Sequence, residues 1–317
     1  MKFLQKLATF TVIGLSTAAC SSGGGGGDDV PERNLGLFFG STDPAQARNG
    51  FAYADADTNL ADLEGQTFTV RVVRATVDEE TGEVRRETTD EIVEFQDEEN
   101  LTITLDGEVL NIVEDRLIAD NGDVFTLRNS GGGSAVQAFV LEKREPGIDL
   151  IDDDRVRLGS SSFLIGAETN PDQIAALSGS VTYKDGFVIN PVVGGPNALQ
   201  ALVTLEADFG SSTISGDVEL AQNGTGLEVG LELAPTAITG NGFAGDLTVG
   251  FCGEASCTSD SAIGGVFFGD EGAEIGGLID LDVTTTDSDG VTTDLIGSGA
   301  FVATEPELAE VLPGAIP

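Results

Sequence analysis

Apolar and polar residues alternate with a period of two through most of the chain, and the clearest case is 199–209. Leu199, Ala201, Val203, Leu205, Ala207 and Phe209 share one face there, while Gln200, Thr204, Glu206 and Asp208 share the other. Such a segment needs one apolar and one wet environment, which predicts a half-buried strand. The segment 66–77 reads the same way, with Phe68, Val70 and Val72 set against Thr67, Thr69 and Arg71. Further strands are expected at 83–95, 101–105, 108–113, 123–128 and 135–142. The breakers between them, Glu80-Thr81-Gly82, Asp106-Gly107, Asn121-Gly122 and Gly131-Gly132-Gly133, have the composition of hairpin turns.

Beyond Glu145-Pro146-Gly147 and the acidic stretch to Asp154, strands become longer and richer in glycine. Proline and glycine interrupt pairing and the charges resist burial, so this is the expected domain boundary. Nine segments follow, at 162–168, 179–189, 198–209, 213–220, 226–234, 242–251, 262–268, 275–283 and 294–303, of which about eight need be strands. Helical periodicity is confined to 305–312. The expected fold is all-β: an antiparallel sheet over 60–145, an eight-stranded antiparallel barrel over 155–305, and a tail at 306–317. Glycines inside strands supply the bends that a closed barrel needs, and closure removes exposed edges. A membrane barrel would carry aromatic girdles, but the chain has no Trp and only Tyr53 and Tyr183, so a soluble barrel is expected.

The first residues change where such a barrel is expected to work. Lys2 and Lys6 precede a short apolar stretch from Leu7 to Leu15, and Thr17-Ala18-Ala19 lead into Cys20 and Ser21-Ser22-Gly23. Residues 1–19 therefore read as a signal peptide of lipoprotein type, with Cys20 as the acylated (palmitate-bearing) first residue of the mature chain. An ordinary secretory signal beside a free cysteine is the competing reading, and Thr17 stands where Leu is usual. The apolar stretch is too short to span a bilayer, so the lipid anchors the protein to the membrane. Ser21 in place of Asp points to the outer membrane, at the cell surface or on its periplasmic face. Residues 20–59 are expected to be a glycine-rich tether, with Phe38-Phe39 as a small apolar island.

Charge and missing residue types then narrow the function. The chain carries 54 acidic against 15 basic side chains, a net charge of −39. Such a surface repels phosphate backbones, so no nucleic-acid partner is expected. There is no histidine, which removes Ser-His-Asp and Cys-His catalysis and the usual zinc and haem ligands. No catalytic residue, metal site or cofactor is assigned. Asp152-Asp153-Asp154 and Asp287-Ser288-Asp289-Gly290 could bind calcium weakly but lack the spacing of a calcium loop, and capping of turns is the expected role of such aspartates. Cys252 and Cys257 are expected to form a structural disulfide, which stabilises by about 2 kcal/mol on the chain-entropy estimate.

One segment carries a resemblance. Gly264-Gly265-Val266-Phe267-Phe268-Gly269-Asp270-Glu271-Gly272-Ala273-Glu274-Ile275-Gly276-Gly277 resembles the closing motif of the barrel domain of the transferrin-binding protein B family of surface lipoproteins. Phe267, Gly269, Glu274, Ile275, Gly276 and Gly277 are the motif positions. Asp208-Phe209-Gly210, Ile214-Ser215-Gly216 and Gly242-Phe243-Ala244-Gly245 fit the same domain. Gly272 and Ala273 depart from the pattern, and the cysteine loop is not general to the family. The resemblance spans 179–303. It implies a handle-like sheet followed by the barrel, a single-lobe protein, capture of a host or environmental protein or other ligand without catalysis, and a TonB-dependent receptor as a candidate partner. It transfers no ligand-contact residue. A shielding lipoprotein whose charged exterior is the function is the alternative, and a carboxylate-dependent hydrolase is a third.

Overall fold

A computed structural model describes residues 37–78, 80–105, 107–120, 122–144, 157–194, 198–222 and 226–305. The signal peptide, Cys20, Asp152-Asp153-Asp154, the Pro146-Gly147 boundary and the segment 306–317 lie outside the described residues. The chain is all-β, and its strands form two antiparallel sheets.

The first sheet contains β1 (Gln66–Val77), β2 (Val84–Phe95), β3 (Leu101–Leu105), β4 (Glu108–Ile112), β5 (Arg116–Ile118), β6 (Val124–Gly132), β7 (Val136–Arg144) and β8 (Arg157–Gly166). Their order is β4-β3-β2-β1-β8-β7-β6-β5. The two edge strands are consecutive in the chain and meet through a bridge between Val113 and Arg116, so the expected handle is a nearly closed eight-stranded barrel. Period-two alternation turns Phe68, Val70, Val72, Ile103, Leu127, Phe139 and Phe163 inward. Phe139 and Phe163, directly opposite one another on neighbouring strands, stack at 5.5 Å between ring centroids.

The second sheet contains β9 (Ser180–Ile189), β10 (Leu199–Asp208), β11 (Thr213–Gln222), β12 (Leu227–Ala237), β13 (Gly242–Cys252), β14 (Ser256–Ser259), β15 (Ser261–Phe268), β16 (Glu274–Thr286) and β17 (Thr292–Thr304). Eight of these, all but the short β14, close into a ring in which β17 pairs with both β16 and β9. At the closing seam the backbones pair at Thr304 with Lys184 and at Ile296 with Val193. Between these points the Val302 N–H donates to the Asp185 carboxylate (3.0 Å), a side chain replacing a strand acceptor. The inward faces of all eight strands form one apolar core that includes Tyr183, Leu205, Leu231, Phe243, Phe267 and Phe301.

Three expectations are corrected. The segment 162–168, expected in the barrel, belongs to β8, which pairs with β7 along its length and with β1, completing the first sheet. Its alternation is that of any strand buried on both faces, so its sheet is not readable from its own residues. The stretch 37–59 was assigned to the tether. Instead Leu37 and Phe39 are buried between the two sheets and Ala54 joins the core of the first. Finally, a helix (α1, Pro171–Ala176) links the sheets, capped by Asn170 and started by proline. It is too short to show a period.

Candidate functional site

The family-like segment 264–277 forms the β15–β16 hairpin, and its residues divide between the barrel interior and the junction of the two sheets. Phe267 and Ile275, paired across the hairpin, point inward and are fully buried. The glycines leave room for rings on the opposite strand. Phe243 lies over its cross-strand partner Gly265, and Phe301 over Gly277, so a Cβ on either glycine would overlap an aromatic ring. Gly269 opens the loop with φ +76°, a conformation that favours glycine.

Phe268 points outward and packs with Leu37, Phe39, Val136, Leu164, Val266, Leu278 and Val302 in a second apolar layer that joins the sheets. A Cβ on Gly276 would come within 2.7 Å of the Phe268 ring, so this glycine permits the close approach. Glu274 reaches across the junction. Its carboxylate accepts the Ser134 hydroxyl (2.6 Å) and the Ala135 N–H (3.1 Å), fixing the turn between β6 and β7. The Ser160 and Ser162 hydroxyls bond Ser298 on β17, each at 2.9 Å. The motif therefore locks one barrel onto the other.

Two polar centres in this junction carried no sequence signal. Arg86, on β2, inserts between Asp280 and Asp282 of β16, with a bidentate contact to Asp280 (2.9 and 2.7 Å) and a further bond to the Asp260 carbonyl. Arg86 and Asp280 keep 7% and 4% of their side-chain exposure. Arg86 supplies the counter-charge that burial of Asp280 requires, and Asp282, 24% exposed, shares the same guanidinium. Glu168 is buried with neutral partners: the Asn241 amide (3.0 Å) and the Asn49 N–H (3.2 Å) donate to it. Burial pushes its carboxyl up to about 7 against those two hydrogen bonds. At the seam, burial likewise raises Asp185 to about 6.

Cys252 and Cys257 are joined, with Cα atoms 5.8 Å apart. The bond spans the place where β13 has left its partner β15 and β14 pairs only with β16. In the Asp287 turn, the carboxylate accepts the Asp289 and Val291 N–H groups (both 2.9 Å), a capping role. Among the described residues no cluster of three or more Cys, Asp or Glu is placed to hold a metal ion. The paired carboxylates Asp280 and Asp282 are consumed by Arg86, and Glu168 faces amides. Between residues 176 and 304, Lys184 is the sole basic residue, so this barrel carries a strong excess of negative charge.

Residues 176–304 match the family model of the C-lobe and N-lobe beta barrels of Tf-binding protein B. The second barrel of this chain is a transferrin-binding protein B-like barrel domain. Among solved structures, intact Ap-TbpB (N and C lobes) is similar at 18% identity with a TM-score of 0.40; the match covers 75% of this chain and 46% of that one. No curated protein sequence matches. The matched region contains every motif residue from Phe267 to Gly277 and both disulfide cysteines.

Proposed function

We propose that this protein is a lipid-anchored outer-membrane binding protein of the transferrin-binding type, held at the cell surface through acylated Cys20, that captures a protein ligand without chemistry. The observation that carries the reading is the match of 176–304 to the barrels of Tf-binding protein B. It is supported by the lipoprotein-type residues around Cys20. With no histidine and two tyrosines, the chain is poorly supplied with iron or haem ligands, so any iron would arrive inside a partner protein. A TonB-dependent receptor is the companion such a role requires if the captured cargo is to be imported.

The test is made on the full chain in a bacterium with an outer membrane. Labelled palmitate should enter the protein and be lost in Cys20→Ser, and protease added to intact cells should digest it. Beads carrying the protein should retain a defined protein from serum or culture fluid. Folded protein that retains nothing from either source overturns the reading.

A further inference from the structure

The outer wall of β10–β13 carries large apolar side chains among its polar ones. Outward positions on β10 run Gln200, Leu202, Thr204, Glu206, so Leu202 interrupts a polar row and is 43% exposed. Across the sheet, Leu202 pairs with Glu219, Glu219 with Gly230, and Gly230 with Phe251. Phe251 is 57% exposed.

Phe251 is outward because of a bulge. On β13, Phe243, Leu247 and Val249 follow the inward phase, and in an unbroken strand Phe251 would follow them. The register slips at this point: Leu231 pairs with Val249, Gly230 with Phe251, and Gly250 is left over. The extra residue turns the ring to the outside, a known use of bulges. At Gly250 the missing side chain leaves room for the Glu232 side chain, which lies where a Cβ would stand. The next residue, Cys252, is tied to Cys257, which holds the strand end that presents the ring. Gly230 has no side chain and Ala221 a short one, so Leu202 and Phe251 stand at the two ends of a shallow groove of about 470 Å³, with Glu219 between Leu202 and Gly230 and Glu228 in the neighbouring row beside Ala221.

We propose that this groove docks a basic protein segment carrying an aromatic or aliphatic anchor, the anchor lying over Gly230 between Leu202 and Phe251 and Lys or Arg side chains meeting Glu219 and Glu228. Charge complementarity selects this occupant: the wall offers carboxylates, the only basic residue of the barrel is Lys184, and a cation can also lie on the Phe251 face. An anionic membrane or an acidic protein is repelled. The inference rests on the reading of the chain as a protein-capturing receptor and assigns the chemistry of what it captures.

The probe is a fluorescein-labelled peptide of alternating Lys and Leu with a central Phe. Its binding to the full chain carrying Cys20→Ser is followed by fluorescence anisotropy. The double variant Leu202→Ser, Phe251→Ser should weaken binding about tenfold or more, as loss of a central anchor does. Ala221→Arg, which fills the groove without removing a packed atom, should do the same. Glu219→Gln with Glu228→Gln should weaken it and flatten its salt dependence, whereas Glu206→Gln should not. Equal affinity for the unmodified chain and both groove variants, or no binding by the unmodified chain, overturns the inference. The receptor reading is judged apart, on protein captured from serum or culture fluid. Capture that survives both groove variants overturns the groove and leaves the receptor; no capture by the unmodified chain overturns the receptor.

Discussion

Glu168→Gln should change how stability depends on pH while leaving the fold intact. Glu168 is 3% exposed, and among the described residues its carboxylate accepts hydrogen bonds from Asn241 and Asn49. Arg48 and Arg71 line the same cavity but are bonded to Asp90 and to the Phe38 carbonyl. Burial raises the folded carboxyl from 4.5 to about 7. A carboxyl whose folded value is raised contributes stability that is complete below its unfolded value and is lost as pH rises through the folded one. Between pH 5 and 8.5 the linkage relation gives a loss of roughly 2.5 kcal/mol from this group. Gln carries no charge at either pH, so the stability of Glu168→Gln relative to the unmodified protein should improve by about that amount over the same range. Guanidinium unfolding midpoints of both proteins at the two pH values measure it, and the other carboxylates cancel in the comparison. Parallel pH dependence in the two proteins would show that Glu168 is solvated or paired with a cation, and would refute the reasoning.

Arg86→Ala strands Asp280 in the junction without its counter-charge and should cost roughly 3–5 kcal/mol in chemical denaturation; Asp280→Asn combined with it should recover part of the loss. Gly277→Ala forces a methyl group into the Phe301 ring and should cost about 1–3 kcal/mol, relieved when Phe301 is shortened to Leu. Replacing Cys252 and Cys257 together by Ser should lower the thermal midpoint by an amount equivalent to about 2 kcal/mol, with unchanged far-UV circular dichroism.

The strands were legible wherever one face is wet. At 199–209 the alternation of six apolar and four polar side chains fits a half-buried strand, and the structure forms β10 there. It was also legible that glycine-rich segments would bend into a barrel. Less legible were strands buried on both faces: β8 and β15 have no wet side to report their phase, and β8 was assigned to the wrong sheet. Phe38-Phe39 was visible as an apolar island within a polar stretch, but an island does not say what it packs against. The charged centres were hidden for a related reason. Arg86 sits two residues into a strand rich in charge, Val84–Phe95, and nothing nearby separates it from solvent-facing Arg85.

Local chemistry and short-range periodicity are written in consecutive residues, and these sufficed for the all-β class, the eight-stranded barrel and the Phe-Gly pattern of the closing hairpin. Which side chains meet across a junction depends on pairings between residues 73 to 196 positions apart. Only the folded chain decided that Glu274 fixes a turn at Ser134, that Arg86 lies between Asp280 and Asp282, and that Glu168 is buried against the Asn241 amide and the Asn49 N–H. The same holds for Phe251, whose alternation with Leu247 and Val249 points inward until one unpaired glycine turns it out. A one-residue slip in register reverses the face of every residue after it, and no count along the sequence registers that slip.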